Sequence, residues 1–205
     1  MTIINHYITE LQQTLDLISH QHIQQAIDWL HNARINGRKI FIMGNGGSAS
    51  TASHFVCDLA KNTRRDDLPP FRVIGLADNM ALLSAYGNDE GYENVFAQQL
   101  LSLAQPKDIV IAISTSGNSP NVVNAVNVAQ ELQMRSIGFT GFTGGQLANM
   151  VDLDLRVPSN CIEQVEDIHV MLEHLICKAL REYQPLTSQP ISTKQMSVAL
   201  ETEWN

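Results

Sequence analysis

The sequence predicts an α/β domain: a five-stranded parallel sheet with helices on both faces. Three observations carry that expectation. Short apolar runs alternate with helical patterns through most of the chain, as in successive strand–helix–strand units. The runs are continuously apolar, which suits strands buried on both faces. Two of them end in turns rich in glycine and hydroxyl side chains, at the sheet edge where folds of this class collect ligands. A length of 205 residues fits one such domain.

The elements follow in order. Ile4, Ile8, Leu11, Leu15, Ile18, Ile23, Ala26, Ile27, Leu30 and Ala33 recur at three- and four-residue steps, predicting one long helix or two joined near Ser19 and His20. Gly37 ends it. Strands are expected at 39–43, 71–76, 108–113, 136–140 and 153–157. Helices are expected at 49–62, at 80–104 with a break at Gly87 and Asn88, at 122–132, and at 162–183. Residues 1–184 then make one domain, with 1–37 an N-terminal helical extension. Residues 185–205 read as a polar C-terminal tail, starting at Pro185 and carrying Pro190.

Charge and composition exclude several functions. With 13 Lys+Arg against 21 Asp+Glu the net charge is −8, which argues against nucleic acid or an anionic membrane as partner. No run approaches 18 apolar residues, so no membrane span is expected. Cys57, Cys161 and Cys177 are odd in number and lack CxxC spacing, so neither a disulfide framework nor a structural zinc site is expected. Cys57 is placed in the core. The first residues lack a basic start before an apolar run, and the expected compartment is the cytoplasm. Charged residues make up only 17% of the chain, which suggests additional surface buried in an oligomer.

The two turns carry the chemistry. Gly44-Asn45-Gly46-Gly47-Ser48 lets the backbone curl tightly and approach a ligand. Ser114-Thr115-Ser116-Gly117-Asn118-Ser119 sets four hydroxyls within six residues at the mouth of a helix. Helix N-termini attract anions, so a monophosphate suits this turn without any lysine. Gly44-x-Gly46-x-x-Ala49 also fits a dinucleotide fingerprint, but the acidic residue expected about 20 positions on at the end of the second strand is missing. No Gly-Lys-Ser/Thr is present, which removes a Walker loop. His54 and Asp58, four apart, share one helix face near the first turn. Glu166, Asp167, His169 and His174 decorate the last helix.

These motifs together, with His54-Phe55 and Asn88-Asp89, resemble the sugar isomerase (SIS) family, and within it the phosphoheptose isomerases, over roughly residues 1–183. The resemblance implies a three-layer, flavodoxin-like fold and a homotetramer with active sites between subunits. It implies a phosphate held by Ser114, Thr115, Ser116 and Ser119, and a sugar lined by Asn45, Gly46, Gly47 and Ser48, with Asn88, Asp89 and Glu166 as further substrate contacts. The implied reaction interconverts sedoheptulose 7-phosphate and D-glycero-D-manno-heptose 7-phosphate through an enediol, in heptose biosynthesis. Asp58 falls on the base, His174 on the acid, and His54, Asp58, Glu166 and His174 on a zinc-holding set. Two positions depart from the family pattern: Asp58 replaces a glutamate and Glu166 a glutamine. His169 matches no family role and is expected to be structural. The rival readings are a non-catalytic regulatory module of the kind that binds the bacterial replication initiator, and an isomerase for another phosphosugar.

Overall fold

The computed structural model describes residues 2–183; the tail expected from residue 185 lies outside them. Two helices of the extension come first, α1 (Ile3–Asp16) and α2 (His20–Ile35). Ser19 separates them because its Oγ accepts from the His22 N–H, capping α2. Gly37 closes α2 at φ +61°, with the Arg38 N–H reaching back to the Ala33 carbonyl at 2.8 Å.

The strands are β1 (Lys39–Met43), β2 (Arg72–Gly75), β3 (Ile109–Ser114), β4 (Arg135–Gly141) and β5 (Leu153–Val157), all parallel, in the order β2-β1-β3-β4-β5. Alternate side chains divide the interior into two cores. Ile40 and Ile42 join Leu30, Phe55, Phe139, Ile168 and Leu172 beneath α2, α3 (Gly47–Cys57) and α8 (Ile162–Glu182). Phe41 and Met43 join Phe96, Leu100, Val122 and Val126 on the other face. That face is covered by α4 (Met80–Asp89), α5 (Ala97–Leu103) and α6 (Pro120–Glu131). The three-layer arrangement expected from the sequence is the one observed.

The differences have local causes. The break expected at Gly87 and Asn88 falls later, because Gly91 and not Gly87 takes the left-handed backbone, at φ +86°. A short helix, α7 (Leu147–Met150), bridges β4 and β5. Cys57 is exposed, contrary to its expected place in the core. Thr51, Ala52 and Phe55 form the buried face of α3, and Cys57 lies two residues, about 200°, beyond Phe55. Cys177 is the buried cysteine.

Candidate active site

Strand β1 lies between β2 and β3, so the chain leaves its carboxyl end in one direction and returns beside it from the other. Such a reversal of strand order opens a crevice where ligands bind, and both polar turns sit at it. In the first turn, a Cβ on Gly44 would lie 2.7 Å from the Ser48 backbone, so only glycine fits. Gly46 takes φ +54°. The two turns are joined by a reciprocal amide pair: Asn45 Nδ2 donates to Asn121 Oδ1 at 2.8 Å, and Asn121 Nδ2 to Asn45 Oδ1 at 2.9 Å. The Tyr92 hydroxyl adds a third bond, donating to Asn45 Oδ1.

The second turn is held mostly by its own groups. Ser114 and Ser119 hydroxyls meet at 3.1 Å, and the Asn118 N–H donates to Ser116 Oγ. Ser119 precedes α6, whose first residue is Pro120, a favoured opening for a helix. Gly117 adopts φ +65°, and a Cβ there would collide with the Gly144 carbonyl. Ser114, Thr115, Ser116 and Ser119 thus lie in the turn that opens α6.

Helices α3 and α8 both begin near this mouth and pack side by side. At their start, the Glu166 carboxylate hangs over Gly47: a Cβ at Gly47 would lie 3.1 Å from Glu166 Oε1. A cavity of about 310 Å³ opens there, lined by Gly47, Ser50, Thr51, His54, Glu166 and Val170 among others.

Two turns further along, four side chains converge. His54 Nε2 and His174 Nε2 are 3.4 Å apart. Asp58 Oδ1 lies 3.8 Å from His54 Nε2, and Glu173 Oε2 lies 3.5 Å from His174 Nε2. One ligand atom from each residue falls within 4.8 Å of all the others. The imidazoles are about half exposed, the Asp58 side chain is 11% exposed, and Glu173 is wholly buried. Helix α3 widens at Asp58 into a π-helical turn, residues Asp58–Asn62, whose Thr63 N–H reaches the Asp58 carbonyl. Asn62 Nδ2 donates to Asp58 Oδ1.

Glu173 has no such support. Neither of its oxygens meets a hydrogen-bond donor among the described residues. Burial first, and the Asp58 carboxylate second, push its pKa up to about 8. One turn on, burial and the charge of Glu173 raise the Cys177 thiol well above its ordinary range.

The donor set fits a divalent ion. Two imidazole nitrogens and two carboxylates are zinc-type ligands. A tetrahedral site with bonds of about 2.0–2.1 Å places its ligand atoms roughly 3.3–3.4 Å apart. The contacts of 3.4, 3.5 and 3.8 Å are close to that spacing. The orphaned oxygens of Glu173 are the stronger sign, since a buried carboxylate without a partner is costly.

Of the metal set expected from the sequence, His54, Asp58 and His174 lie together, while Glu166 stands apart at the mouth over Gly47. Asn88 and Asp89 end α4 on the surface, bonded to each other at 2.7 Å. His169 is buried, with Nε2 3.2 Å from the Thr140 carbonyl and its ring edge-on to Phe139. Burial drives its pKa down to about 4 against the hydrogen bond's opposing effect. Glu173 escaped the sequence reading. Its signal was a glutamate on the buried stripe of α8, four residues after His169 and four before Cys177.

The chain belongs to the SIS domain family, whose model matches residues 5–141. Within that family it falls among the phosphoheptose isomerases. It is 41% identical over 162 residues to a phosphoheptose isomerase of Geotalea daltonii, covering 78% of this chain and 83% of the relative. It is 38% identical over 158 residues to one of Shewanella loihica, covering 76% and 80%. A solved phosphoheptose isomerase from Francisella tularensis superposes with a TM-score of 0.82 at 34% identity, covering 89% of this chain and all of that one.

Proposed function

We propose that the chain is a phosphoheptose isomerase, interconverting sedoheptulose 7-phosphate and D-glycero-D-manno-heptose 7-phosphate. The carrying observation is the convergence of His54, Asp58 and His174 some two helical turns beyond Gly47, in the turn that Asn45 ties to Asn121 behind the hydroxyl-rich turn. From Gly47 to His54 is seven residues, about 10 Å along the helix. An extended seven-carbon sugar phosphate is comparable in length by ordinary bond lengths, about 10 Å. Phosphate at Ser114, Thr115, Ser116 and Ser119 would thus bring the reacting end of the sugar toward the imidazoles. Asn45, Gly46, Gly47, Ser48 and Glu166 would line the chain between, with Asn88 and Asp89 as further contacts.

Aldose–ketose exchange through an enediol moves one proton between C1 and C2 and another between their oxygens. Asp58 would lift the carbon-bound proton from C1 of the ketose and return it to C2. His174 would give a proton to the carbonyl oxygen as the enediol forms. Zinc held by His54, Asp58 and His174 would supply a Lewis acid beside the carbonyl, in place of the proton that His174 gives when its Nε2 is free.

Exposed Ile3, Ile4 and Ile8 on α1 support burial of that helix in a homotetramer. No helix among the described residues is long and apolar enough to cross a membrane; we place the enzyme in the cytoplasm. The test is incubation with sedoheptulose 7-phosphate and separation of the products. The aldose should accumulate to an equilibrium mixture. No turnover from folded, zinc-supplied protein would rule the reading out.

A further inference from the structure

We infer that Glu173, not Glu166, is the fourth protein ligand of a divalent metal held by His54, Asp58 and His174. The argument starts from the register of two helices. Gly47 and His54 are seven residues apart on α3, and Glu166 and Glu173 are seven apart on α8. Seven residues are two turns within about 20°, so each pair occupies one stripe of its helix. With Glu166 over Gly47, the residue that arrives beside His54 is Glu173. Glu166 lies eight residues from His174, about 12 Å along the axis.

Chemistry agrees with register. Two Nε2 atoms at 3.4 Å leave room for only one proton between them, and both adjoining carboxylates are acceptors when ionised. A dication satisfies all four groups at once. Glu173 is wholly buried, its two oxygens are without donors among the described residues, and the polar groups nearest it are His174 and Asp58, members of the same cluster. Asp58 at the neighbouring position is held by Asn62 and is the shorter acid. Glu173 brings a second carboxylate to the ion from the facing helix. Two imidazoles and two carboxylates leave a dication with no net charge, suited to a site with one side sealed in the core. Glu166 remains at the mouth, beside the cavity where the proposed function places sugar hydroxyls.

The test uses the full-length protein without sugar. Zinc affinity is measured by competition with a chromogenic chelator, and the zinc-induced rise in melting temperature is recorded alongside. Glu173→Gln should weaken zinc by at least about tenfold and shrink the thermal rise correspondingly. Glu166→Gln should leave both close to wild type. Glu173→Leu guards against a misfolded amide variant, since removing an unpaired buried acid should stabilise the metal-free protein; it too should lose zinc. Wild-type affinity in either folded Glu173 variant, loss of zinc in Glu166→Gln instead, or no zinc binding by the wild type would each overturn the assignment. Isomerase turnover is read separately. A wild type that binds zinc through Glu173 but does not turn over sugar phosphate refutes the proposed activity and leaves the ligand assignment standing.

Discussion

The mouth between β1 and β3 and the cluster between α3 and α8 are built on opposite plans. At the mouth, polar groups satisfy one another: Asn45 with Asn121, Ser114 with Ser119, Asn118 with Ser116. The turn is shaped before any ligand arrives. In the cluster, imidazoles and carboxylates converge, and a buried glutamate has no donor among the described residues. A preformed, satisfied turn suits a part whose work is binding. An unsatisfied, charge-laden cluster suits a part whose work is chemistry, where a perturbed group is an asset rather than a defect.

That contrast is sharpest in steady-state kinetics. His174→Ala should lower kcat by about 10²–10⁴-fold, the usual worth of a positioned acid or base, with KM changing only a few-fold. A KM effect of that size with kcat intact would reverse the division of labour. Gly117→Ala comes next. The left-handed backbone and the collision with the Gly144 carbonyl should distort the turn proposed to bind phosphate. A rise in KM of roughly 100-fold is expected, with a stability loss of about 1–3 kcal/mol and zinc affinity preserved. Loss of zinc in this variant would show that the two regions are not independent. Ser119→Ala removes one of the hydroxyls proposed to hold the phosphate. A hydrogen bond to a charged group is worth about 1.5–3 kcal/mol, so KM should rise roughly tenfold or somewhat more while kcat stays near wild type.

The smallest effect concerns His169, which ties α8 to β4 through the Thr140 carbonyl. Its folded pKa is depressed to about 4 from 6.5. The unfolded chain therefore takes up a proton first on acidification. The contribution is present above about pH 6.5 and is lost as pH falls toward 4. Between about pH 7 and about pH 5.5 the loss from this group should be about 1 kcal/mol, a drop of roughly 2–4 °C in Tm. His169→Gln should flatten that part of the profile; an unchanged slope in thermal melts would remove His169 as its source.

Much of the molecule was legible beforehand because its signals are local. Five apolar runs became five parallel strands, with boundaries shifted by a residue or so. The helix break after β2 was misplaced because Gly87 and Gly91 look alike in sequence, and only the backbone shows which one turns left-handed. Cys57 was misjudged because a small apolar residue carries little information about its side of a helix.

The residues alone determined the parallel sheet, the two polar turns at its carboxyl edge, and the His54–Asp58 pair on one helix face. Each rests on spacing within a few residues. Tertiary structure decided which acid of α8 meets that pair. Glu166 and Glu173 occupy the same stripe two turns apart, so periodicity treats them as equals. The choice depends on how far α8 slides along α3, and that offset is set by packing against Phe55, Phe139, Ile168 and Leu172, between segments more than a hundred residues apart in the chain.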